Sequence, residues 1–123
     1  MTKGQTIVSV GVGLLMTALG LMYLVAPELI EQLYGLAIPE QGHYGMHYAV
    51  GVRDFAYGLL IFTLTRQKQY QALRASVGIG LLLPIGDACI VLFSESAGLM
   101  AASPHLVGIV VLTLVYLYLH RRQ

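Results

Sequence analysis

Four long apolar stretches organise the chain, and a polar cluster closes each. The first runs from Thr6 to Val25 and halts at Ala26-Pro27. The second runs from Tyr44 to Thr65 and ends at Arg66-Gln67-Lys68-Gln69. A third covers Ala75 to Phe93 before Ser94-Glu95-Ser96. A fourth covers 102–119, with Ser103 suited to the N-cap and Pro104 to the first helical position. About 20 residues at about 1.5 Å rise cross a hydrocarbon core of about 30 Å. The pattern predicts one all-α domain over 1–123, a polytopic membrane four-helix bundle with spans at 6–25, 44–65, 75–93 and 102–119.

Between the first two spans, residues 27–34 read as a short amphipathic helix, with Leu29, Ile30, Leu33 and Tyr34 on one face. Pro27 suits its start and Gly35 its C-terminal cap, and its expected place is the outer membrane interface. On the first span Thr6, Ser9, Gly13, Thr17 and Gly20 form a small-residue stripe that lets a neighbouring backbone come close. Apart from Gly108 the fourth span is bulky, and much of it is expected to face lipid.

Composition supports a membrane location. Of the 123 residues 57% are apolar and 11% charged, whereas a soluble domain carries about 25% charged residues. So few charges cannot cover a water-soluble surface. The formal net charge of +1 excludes an electrostatic nucleic-acid binder. Cys89, the single cysteine, excludes an intrachain disulfide or a thiol-based zinc site. The first run is longer than a signal-peptide core and lacks a small-x-small cleavage site, so it reads as a span. Lys3, Arg66, Lys68, Arg74, Arg121 and Arg122 fall on one side of a four-span chain, and Glu28, Glu31, Glu40 and Glu95 on the other. The positive-inside rule then predicts cytoplasmic N- and C-termini.

The chemistry lies in the ionisable residues within the spans. On the second span His43, His47, Gly51, Asp54 and Gly58 share a stripe about 80° wide, with Tyr57 beside it. Arg53 points about 100° away from Asp54, since neighbours on a helix do not face each other. The third span adds Asp87, and Pro84 before it is expected to kink the helix or free a carbonyl. His105 opens the fourth span. Counted from the outer ends of their spans, Asp54 lies about 15 Å deep, Asp87 about 9 Å and His47 about 5 Å. One obligatory cation, Arg53, thus faces two carboxylates, Asp54 and Asp87. The remaining negative charge calls for a protonated His47 or His105, a bound cation, or a protonated Asp.

That imbalance marks the candidate site. Asp54, Asp87, His47 and Tyr57 are the expected acid–base groups, and Arg53 and His105 the expected substrate-binding ones. His43, His47 and Asp54 extend over about 16 Å of helix, too far to share one ion. Nothing in the spacing singles out His47 with Asp87 and His105, so neither a metal nor a cofactor is expected. Tyr44, Tyr48, Tyr116 and Tyr118 fit interfacial anchors, and Cys89 fits a small packed hydrophobe.

The stretch Gly51-Val52-Arg53-Asp54-Phe55-Ala56-Tyr57-Gly58 resembles a family of small bacterial and fungal membrane proteins known only as a domain of unknown function. Its members carry Gly-x-Arg-Asp-x-x-x-Gly at this place. Beyond that stretch, Gly86-Asp87 is the specific part of the likeness. The resemblance implies a four-helix membrane fold and supplies no activity. Three functions remain open. The first is an outer-facing intramembrane polar pocket that binds or isomerises a hydrophobic small molecule or a membrane lipid by acid–base chemistry. The second is proton-coupled export of a cationic hydrophobic compound by a homodimer. The third is a non-catalytic scaffold subunit whose Arg–Asp pairing fixes helix register.

Overall fold

The computed structural model describes residues 1–35, 43–94 and 98–121, and the regular structure among them is helical throughout. Glu40, Glu95 and Arg122, three of the residues used to orient the chain, lie outside the described residues. The elements are α1 (Lys3–Val25), α2 (Pro27–Tyr34), α3 (Gly45–Arg66), α4 (Tyr70–Gly80), α5 (Leu82–Leu92) and α6 (Ser103–His120).

Local chemistry explains where these helices begin and end. α1 starts three residues before the apolar run because Thr2 and Gln5 form a capping box, each side chain accepting the other's backbone N–H at 3.2 and 3.0 Å. The same Gln5 amide donates to the Leu119 carbonyl at 3.4 Å and ties α1 to the end of α6. α2 spans the expected residues, and Gly35 closes it in the left-handed region at φ +83°. The Ala101 carbonyl occupies the place a Cβ on Gly35 would take, so this position excludes a side chain on two grounds. α6 differs in one detail. Ser103 donates its hydroxyl back to the Met100 carbonyl at 2.7 Å rather than capping the helix, and Ala102 is the N-cap.

The third apolar stretch is a broken rod. It begins at Tyr70 rather than Ala75, and α4 and α5 meet at Leu81. Pro84 has no N–H for the Gly80 carbonyl, so the helix breaks one turn before it. Leu81 bonds back to Gly78 and Ile85 to Leu81, both at 3.3 Å.

Among the described residues three stretches are long and apolar enough to cross a membrane: Lys3–Val25, Tyr70–Leu92 and Ser103–His120. These mark the chain as a membrane protein. The expected second span, α3, has 22 residues, which is length enough. Arg53, Asp54, His47, Tyr48 and Tyr57 leave it short of the apolar character of the other three.

The neighbours of α3 bury its polar side. The small stripe of α1 meets the glycines of α3 at a distance that admits no further atom. A Cβ on Gly20 would lie 2.7 Å from the Gly51 carbonyl and would overlap the Phe55 amide. One on Gly58 would lie 2.7 Å from the Thr17 nitrogen and 2.8 Å from the Gly13 carbonyl. Two apolar clusters hold the rest. Tyr23, Ile30, Tyr34, Val50 and Val91 join α2 to α1, α3 and α5. Ile61, Leu64, Leu73, Val77 and Leu119 join α3 to α4 and α6 at the opposite end. The outer side of α6 stays bare, with Val107, Val110 and Leu114 exposed.

Candidate functional site

Arg53 is the hub of the site and holds both carboxylates at once. Its Nη1 and Nη2 donate to Asp87 Oδ1 and Oδ2 at 2.8 and 2.7 Å, a bidentate fork across α3 and α5. Its Nε donates to Asp54 Oδ1 at 2.8 Å. The helix points the two Cβ atoms of residues 53 and 54 apart, yet the long arginine stem curls back to reach its neighbour. The carboxylates are almost closed off, with side-chain exposures of 7% for Asp54 and 8% for Asp87, whereas Arg53 keeps 32%.

Two groups from other elements complete the cluster. The Tyr34 hydroxyl, at the end of α2, donates to Asp87 Oδ1 at 3.4 Å. Burial, followed by the Asp87 carboxylate, pushes the Tyr34 phenol above the usual tyrosine range, so it stays a neutral donor. His105, in the first turn of α6, places Nε2 2.8 Å from the Tyr34 carbonyl and Nδ1 3.9 Å from Asp87 Oδ2. A carbonyl only accepts, so Nε2 carries a proton. A bare Nδ1 would then turn its lone pair toward a carboxylate. Arg53 thus stands against two carboxylates, with His105 beside one of them.

The cluster borders a cavity of about 470 Å³ lined by residues of α1, α2, α3, α5 and α6. Arg53, Asp54, Asp87 and His105 line it together with apolar side chains such as Val12, Leu15, Leu19, Pro84, Val111 and Leu112. Most of the lining is apolar, and the ionic cluster supplies the polar part. Among the described residues no three His, Cys, Asp or Glu side chains group closely enough to hold a metal ion.

Four of the six residues expected from sequence thus come together at the cavity: Arg53, Asp54, Asp87 and His105. The other two do not. Tyr57 turns toward α4, where its hydroxyl donates to the Ser76 carbonyl at 2.9 Å in space that Gly80 leaves free. It serves helix packing and has no access to the cavity. His47 is buried but lies outside the cavity lining, packed among the rings of Tyr23, Tyr34 and Tyr44 at centroid distances of 6.1, 5.8 and 6.2 Å. Among the described residues neither of its ring nitrogens has a hydrogen-bond partner. Cys89 faces outward and is exposed rather than packed.

The expectation from sequence omits Tyr34 and Tyr23. In the sequence Tyr34 falls on the apolar face of the short helix over 27–34, and Tyr23 falls within the first apolar run, Thr6 to Val25. Both are nearly fully buried, at 1% and 4% exposure, and Tyr23 lines the cavity. The one available signal was a tyrosine at the C-terminal end of α2, next to the span that carries Asp54.

Residues 13–119 match the family model described as a domain of unknown function (DUF4267). No curated protein and no solved structure matches the chain. The chain belongs to the DUF4267 family.

Proposed function

We propose that this DUF4267 protein is a four-span membrane protein, with α3 as the fourth span and both termini on the cytoplasmic side. In this reading its cavity opens toward the outer leaflet and binds a hydrophobic small molecule or lipid by its polar end. The Asp87–His105 pair then acts as acid and base on the bound molecule, as an isomerisation requires, while Arg53 holds Asp87 in place and Asp54 balances the charge. One observation carries the proposal: an ionic cluster whose groups already bond one another still borders about 470 Å³ of largely apolar space. A cluster that only fixed helix register would need no such space beside it.

The test begins with apolar compounds extracted from protein purified out of its native membrane. Wild type is expected to retain a compound that Val111→Trp, which plugs the cavity, does not. Retained compound incubated in deuterated water is expected to gain deuterium on carbon with wild type and not with Asp87→Asn. If the plugged and open proteins carry the same compounds, the binding proposal fails. If deuterium enters equally with Asp87→Asn, the acid–base role fails.

A register lock is the second reading, and the closure of Arg53 onto the chain's own carboxylates favours it. Joint replacement of Arg53, Asp54 and Asp87 by apolar residues would then leave the cellular role intact.

A further inference from the structure

If the cavity takes a ligand, as proposed above, the cluster at its end also restricts that ligand's polar group. Three of the five N–H groups of Arg53 are given to Asp54 and Asp87, so among the described residues Nη1 and Nη2 keep one N–H each. Arg53 has the most open side chain of the ionic trio, and the two carboxylates are largely covered. Arg53 lines the cavity, and any N–H it turns there would select an oxygen acceptor. A cationic head would meet the one positive group that remains open.

Net charge narrows the class further. Two carboxylates already face the single guanidinium, so an anionic head would add a further uncompensated charge in a low-dielectric space. A neutral acceptor adds none and takes up an N–H that is otherwise dry. We infer that the cavity selects a hydrophobic molecule bearing a neutral carbonyl, such as a ketone, aldehyde, ester or quinone, with its oxygen on the guanidinium of Arg53. The same placement brings the carbonyl near Asp87, which Arg53 holds, and His105, and both line the cavity.

The experiment compares four labelled probes of one chain length in nanodiscs: methyl decyl ketone, dodecylamine, dodecanesulfonate and dodecane. Specific binding is the difference between wild type and Val111→Trp, which removes partition into lipid. The ketone is expected to bind about tenfold more tightly than each of the others, the effect of one hydrogen bond to a charged donor. Equal or tighter binding of the amine, the sulfonate or the alkane overturns the carbonyl preference and leaves the cavity reading standing. If no probe separates wild type from Val111→Trp, the cavity reading falls and takes this inference with it.

Discussion

α1 has two sides that meet the rest of the molecule in opposite ways. Toward α3 it presents Gly13, Thr17 and Gly20, and the backbones come so close that glycine carbonyls occupy the space of missing side chains. Toward α5 and α6 it presents Val12, Leu15 and Leu19, and a cavity separates it from Pro84, Val111 and Leu112. The first seam gains from dispersion contacts that lipid cannot match, which is the main source of helix association in an apolar medium. The second stays apart because bulky side chains and a proline-broken helix do not mesh. Rigidity on one side thus lets the other side stay open without loss of the fold.

Breaking the tight seam is expected to have the largest effect. Gly20→Val drives a side chain into the Phe55 amide and is expected to lower stability by about 3 kcal/mol or more. Unfolding in mixed micelles measures it. If Gly20→Val unfolds like wild type, the account of the seam is wrong.

Arg53→Met strands two buried carboxylates and is expected to cost about 3–5 kcal/mol. Adding Asp54→Leu and Asp87→Leu should recover most of that loss, because no charge is then left unpaired. A triple variant as unstable as Arg53→Met would show that the cluster contributes more than charge balance.

Smaller changes sharpen the boundary of the site. Tyr57→Phe removes the bond to the Ser76 carbonyl and is expected to cost about 1 kcal/mol without altering what the protein retains. Loss of the retained compound in Tyr57→Phe would return that residue to the site. Tyr34→Phe removes a 3.4 Å bond to Asp87, long enough that about 0.5 kcal/mol is expected. Gly11 has open space around it, so Gly11→Ala is expected to stabilise α1 by about 0.5–1 kcal/mol. Opposite signs at Gly11 and Gly20, on one helix, would tie the seam to close approach rather than to glycine as such.

The apolar stretches, their polar ends and the short helix over 27–34 were legible because membrane helices are written in runs of one character and α2 carries its own start and stop at Pro27 and Gly35. The small stripe of α1 was legible for a similar reason, since residue size repeats along one face. The candidate ionic residues were legible because charge inside an apolar run is conspicuous.

Which of them meet was decided by tertiary structure. A helical projection places Arg53 away from Asp54, yet a flexible four-bond stem brings its Nε to Asp54 Oδ1 at 2.8 Å and its fork to Asp87. The same projection sets Tyr57 beside Asp54, yet the gap at Gly80 draws its hydroxyl to α4. Tyr34 and His105 enter the site only because α2 and α6 fold over the same end of α3 and α5. Periodicity fixes the face a side chain leaves from, whereas its reach and its partner depend on the space that neighbouring helices leave.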